Sequence, residues 1–112
     1  MKKYLYQIMF INLMLLHLLN CSNDTLNAPE NIKVSQDGTP IKVEWDAVSG
    51  ATAYAVSKKE ANEAAFSTIY YADRLYYEDY NIISGYNYFY YVTAFSGDLE
   101  SDPSETVNIT AK

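Results

Sequence analysis

Three groups of side chains have types and spacings that chemistry could use. Glu44 with Asp46, and Glu78 with Asp79, are carboxylate pairs of the kind that acid–base catalysis needs. Asp98, Glu100 and Asp102 alternate along one run, as oxygen ligands for calcium can. Phe89, Tyr91 and Phe95 belong to "YNYFYYVTAF", residues 86–95, where six of ten residues are aromatic. His17 and Cys21 are the only histidine and the only cysteine.

The backbone decides what these groups can do. Adjacent strand residues face opposite ways, so Glu78 and Asp79 diverge instead of converging on a substrate. Glu44 and Asp46 are expected to share an exposed face, which tunes neither for acid–base work. Both pairs read as solvated surface. The run at 98–102 lacks the glycine and the closing bidentate Glu of a calcium loop, and reads as a solvated loop. One cysteine excludes an internal disulfide and a cysteine-rich metal site. No metal, cofactor or small-molecule substrate is expected, and the chain is not expected to be an enzyme.

Composition narrows the partners. The 112 residues allow one domain with some chain to spare, and 49% hydrophobic residues supply a core. The formal charge is −6 with no basic run, so nucleic acid is excluded as a partner.

"MKKYLYQIMFINLMLLHLLNC", residues 1–21, has a short basic end followed by an apolar stretch, the form of a bacterial export signal. "LLNC", residues 18–21, resembles the lipobox of bacterial lipoproteins. That resemblance implies cleavage after Asn20 and a diacylglycerol on the Cys21 thiol, with palmitate among the acyl chains expected. The alternative is an ordinary signal peptide or an uncleaved anchor, with Cys21 incidental. Two or three acyl chains hold a protein on a membrane where one lets it go, at about 0.8 kcal/mol per buried CH₂. Cleavage would remove Lys2, Lys3 and His17, leaving six basic against fourteen acidic groups, or −8. Residues 21–27 are expected to be a lipidated Cys and tether, leading to a folded domain over 28–112 in the cell envelope, at the outer membrane or cell surface.

Short alternating runs fill that domain. "IKVEW" sets Ile41, Val43 and Trp45 on one face and Lys42 and Glu44 on the other, the period of a half-buried strand. "NIKV", "AYAVSKK", "FSTIYY", "LYYED", "NYFYYVTAF" and "ETVNIT" make six more strands. "KKEANEAAF", 58–66, reads as a loop leading into a strand. Seven strands with turns between them argue for an all-β, two-sheet antiparallel sandwich.

"WDAVSGATAY", 45–54, and "IISGYNYFYYVTA", 82–94, resemble the strand B-to-C and strand F signatures of bacterial fibronectin type III domains. Ile82, Gly85, Tyr88, Tyr90, Val92 and Ala94 occupy the family's spaced positions. "APENIKV" and "ESDPSETVNITA" resemble its entry and its last strand, so the likeness runs through 28–112. It implies a seven-stranded immunoglobulin-like sandwich with a structural core that includes Trp45, Tyr54, Ile82, Tyr88 and Val92. It also implies a tyrosine corner at Tyr88, its hydroxyl bonded to backbone a few residues upstream.

Phe89, Tyr91 and Phe95 then point outward. Two roles fit them. They form a face that binds a protein or glycan, or they pack across strands on a tyrosine-rich sheet. The first makes the domain a non-catalytic binding module, and the second a spacer or the remnant of a larger surface protein.

Overall fold

The computed structural model describes residues 25–112. Signal peptide, cleavage site and Cys21 lie outside the described residues. Eight strands form, all paired antiparallel: β1 (Lys33–Gln36), β2 (Ile41–Glu44), β3 (Ala53–Glu60), β4 (Ser67–Ala72), β5 (Tyr76–Asp79), β6 (Asn87–Ser96), β7 (Leu99–Glu100) and β8 (Val107–Thr110). One sheet has the order β1-β2-β5. The other runs β4-β3-β6, with β7 and β8 following one another along the far edge of β6.

Alternation builds both sheets. Ile41 and Val43 are fully buried and Trp45 nearly so, while Lys42 and Glu44 on the opposite face are half-exposed. The Asp37–Gly38 turn between β1 and β2 has Gly38 at φ +107°, a conformation that costs glycine little. Between the sheets Tyr54, Val56, Tyr88, Tyr90, Val92 and Ala94 meet Ile41, Val43 and Trp45 in one core. The Tyr54 ring lies 5.6 Å from the Trp45 ring, and its hydroxyl accepts the Val48 N–H at 2.9 Å. That bond secures the loop from β2 to β3.

Seven strands were expected and eight form, because the last one is interrupted. Pro103 has no N–H to give the ladder. Across the gap Ser101 and Ser104 stand in for strand residues. Their hydroxyls accept the N–H groups of Ala94 at 2.8 Å and Val92 at 2.9 Å, and their own N–H groups donate to the same two residues' carbonyls. No buried backbone group of β6 is stranded there.

Two boundaries differ from expectation. Strand β3 continues to Glu60, so the loop begins at Ala61, not at Lys58. The packed chain also begins before Ala28. Leu26 lies against the core and Pro29 is buried.

The tyrosine corner forms as expected. The Ile83 N–H donates to the Tyr88 hydroxyl at 2.8 Å, five residues upstream. Gly85, at φ +90°, turns the chain between them and donates to the Ala111 carbonyl at 2.8 Å. The turn is thereby tied to the end of β8. Tyr88 is buried, as are Trp45, Tyr54 and Val92, while Ile82 is half-buried at the edge of the core.

Candidate functional site

The outer face of the five-stranded sheet has a floor and two walls. The register pairs Ala53 with Phe95, Ala55 with Thr93, Ser57 with Tyr91 and Lys59 with Phe89. Strand β3 therefore presents small side chains along the middle. Phe89, Tyr91 and Phe95 of β6 rise on one side, and Tyr71 of β4 with Phe66 before it rises on the other. The rings lean across the floor to meet. Phe66 and Tyr91 lie 4.6 Å apart between centroids, and Tyr71 and Phe95 6.1 Å, tilted by 57° and 58°. Ala55, Ser57 and Thr93 are buried beneath them.

Phe89, Tyr91 and Phe95 are thus only partly exposed, with most of their surface covered, whereas Tyr71 is 68% exposed. The Lys59 ammonium sits over both the Phe66 and Phe89 rings, 5.4 and 5.6 Å from their centroids. Cation and rings make one patch, with the cation–aromatic attraction holding the long lysine chain flat. The sequence leaves the facing of Tyr71 open and does not mark Phe66 as part of this face. Their place opposite β6 depends on the β3–β4 register, which local alternation does not give.

A second group of rings closes the open side between β4 and β5. Tyr70 and Tyr77 stack at 4.5 Å, joining the two sheets. Arg74 donates to the Tyr70 and Tyr76 hydroxyls at 3.1 and 3.3 Å and lies over the Tyr76 ring. The Tyr70 hydrogen bond, and then Tyr70's charge, raise the Arg74 pKa. Burial, followed by the Asp79 charge, raises that of Tyr77.

One expectation about the acids is overturned. Glu78 is exposed, but Asp79 is fully buried and is not solvated surface. Its neighbour faces out, so alternation turns Asp79 inward. There its Oδ2 accepts the Tyr90 hydroxyl at 2.6 Å and pairs with Lys58 Nζ at 2.7 Å, while Oδ1 accepts the Asn81 N–H at 3.0 Å. Lys58 Nζ also donates to the Asn81 carbonyl at 2.6 Å and lies 4.6 Å from the Tyr88 ring centroid. Two acceptors and one ring thus hold the ammonium in place. Burial, then the hydrogen bond to Asp79, drives the Tyr90 phenol pKa far above its ordinary value. Tyr90 remains a hydroxyl donor to the carboxylate.

A cavity of about 220 Å³ opens beside this cluster, lined by Lys58, Glu60, Glu63, Asn81, Ile83 and Tyr88 among others. Lys58 is engaged by Asp79 and the Asn81 carbonyl, and the cluster ties β3, β5 and β6 together. The remaining acids are peripheral. Glu44 lies 3.6 Å from Lys42, and Asp46 accepts from Asn31 at 2.6 Å. Asp98, Glu100 and Asp102 are exposed, and no group of three potential metal ligands occurs among the described residues.

No family model and no curated protein matches the sequence. Solved structures do match the fold. An Fn3-like protein from Clostridium thermocellum superposes with a TM-score of 0.69 at 22% identity, over 80% of this chain and 96% of that one. The fibronectin type III domain of human fibronectin type III domain containing protein 3 gives 0.67 at 21% identity, over 81% and 90%. A structure of titin kinase with its flanking domains gives 0.70 at 22% identity. This chain spans 18% of that larger one, and the likeness falls on a flanking domain instead of the kinase. The chain has the fibronectin type III fold, a two-sheet antiparallel sandwich used as a module in larger proteins.

Proposed function

We propose that this is a lipid-anchored envelope protein whose sandwich is a non-catalytic binding module facing outward from the membrane. The anchor is Cys21, on the strength of the basic–apolar leader and the "LLNC" motif. The observation that carries the binding role is the outer aromatic face, where Phe66, Tyr71, Phe89, Tyr91 and Phe95 line one side of the sheet and Lys59 lies over two of them, Phe66 and Phe89. Rings supply contact area at low entropic cost because each has only two side-chain torsions. Their mutual tilt near 58° presents edges and faces together. That favours the irregular surface of a protein over the flat rings of a glycan, which stack best on coplanar platforms.

A specific observation also supports the spacer reading. The rings already pack on one another over a buried floor, as cross-strand pairs do when they only stabilise a sheet. Photo-crosslinking separates the two. A photoreactive side chain at Asn108, which is exposed and lies opposite Phe89, should give discrete adducts on intact cells. A Phe89→Ser/Tyr91→Ser/Phe95→Ser variant that still melts cooperatively should lose them. Identical adducts from both proteins, or none from either, would leave the domain a spacer.

A further inference from the structure

We propose that β4 is a pairing edge at which two copies of this chain join antiparallel, fusing their five-stranded sheets into one. Among the described residues strand β4 pairs only with β3, so the other side of its backbone has no strand partner there. Natural edge strands are blunted by charge, proline or cover. The other edges here follow that rule. β1 carries Lys33, β5 carries Glu78 and β7 carries Glu100. β8 is uncharged, but it lies against β1, and Lys112 just beyond it donates to Gln36 through both its backbone N–H and its Nζ. "STIYYA" of β4 has no charge, no proline and no glycine, and is rich in β-formers.

The facing order of β4 suits a two-fold axis. A bulge shifts the register opposite Val56 and Ser57, so Thr68 pairs with Ser57 and Tyr70 with Val56, leaving Ile69 extra. Ile69 and Tyr70 both pack toward the core. Thr68 and Tyr71 lie on the outer face, and Ser67 and Ala72 on the inner one. Read from Ser67 to Ala72 the order is in, out, in, in, out, in, which is the same in either direction. A bulge in one strand ordinarily disturbs pairing. At the centre of this segment it makes the faces match. Two antiparallel copies with the axis between Ile69 and Tyr70 set Thr68 opposite Tyr71, Ile69 opposite Tyr70 and Ser67 opposite Ala72 of the other copy, each pair on one face.

Charge agrees with this register. Arg74 follows β4 and Glu63 precedes it, and both are exposed, so antiparallel pairing brings the arginine end of each copy toward the glutamate end of the other, twice by symmetry. An isologous contact of this kind closes on itself, so association stops at two. The inference does not depend on the lipid anchor, because it rests on residues 63–74.

Sedimentation of the full-length chain in detergent micelles tests it. The wild type should carry two copies per micelle, dissociating on dilution. Thr68→Lys/Tyr71→Lys places like charges directly opposite each other and should leave one copy, with at least a tenfold rise in dissociation constant. Thr68→Lys/Tyr71→Glu places opposite charges there and should restore two. Thermal melts establish that both variants are folded. A wild-type chain found singly up to high concentration would overturn the pairing. So would a Lys/Glu variant as monomeric as the Lys/Lys one, or a Lys/Lys variant that stays dimeric.

Discussion

Asp79→Ala should destabilise the domain by about 3–5 kcal/mol, the cost of leaving a buried charge without its partner. The carboxylate is fully buried and the Lys58 side chain is 10% exposed, so solvent cannot take over the lost interaction. The substitution strands the Lys58 ammonium, the Tyr90 hydroxyl and the Asn81 N–H together. Against a total stability of about 5–15 kcal/mol for a typical domain, that loss populates the unfolded chain. Denaturant melts would measure it. Asp79→Asn should cost less, since the amide oxygen still accepts from Asn81 or Tyr90. Replacing Lys58 with Met and Tyr90 with Phe alongside Asp79→Leu should recover much of the loss, because the apolar trio strands no charge and leaves only the backbone groups of the exposed Asn81 to be met by water. If Asp79→Ala costs under about 1 kcal/mol, the cluster does not hold β3, β5 and β6 together as described.

Trp45→Ala is the second large effect, expected at about 3–5 kcal/mol as a core truncation. Trp45 is 4% exposed and lies at the end of β2, against Tyr54 of the opposite sheet. Its backbone N–H donates to the Leu75 carbonyl at 3.1 Å, so the position is held independently of the indole. The loss should therefore appear as a cavity and not as a shift of β2. Trp45→Phe should be milder, since a ring remains and the indole N–H, which has no acceptor among the described residues, is removed. A neutral Trp45→Ala in thermal melts would mean that the sheets do not pack in this register.

The two residues behind these effects differ in how well the sequence announced them. Trp45 follows Ile41 and Val43 at a spacing of two, and alternation alone turns it inward. Tyr88 was equally legible, because Ile82, Gly85, Val92 and Ala94 surround it at family spacings. Asp79 and Lys58 were not, although the same alternation applied to them. Lys58 has the parity of Tyr54 and Val56, and Asp79 that of Tyr77. Their charge argued for solvent, and only the pairing of the two across the sandwich makes burial tolerable. Each partner explains the other, and nothing local in either strand reveals the match.

The outer face was half legible for a related reason. Phe89, Tyr91 and Phe95 follow from the parity of β6. Phe66 and Tyr71 need the β3–β4 register, including a bulge that shifts every residue beyond it to the other face. The serine plug at Ser101 and Ser104 was hidden as well, since side chains there do the work of backbone. In each case the missing information is a long-range pairing and not a local preference.

In the proposed function, where the domain acts depends on Cys21. Mass spectrometry of the purified, membrane-extracted protein reads that residue most directly. The account predicts a chain that begins at Cys21, with the thiol carrying diacylglycerol, and a Cys21→Ala variant that keeps its leader and gains no lipid. A chain that retains residues 1–20, or begins at Cys21 with a free thiol, would contradict it.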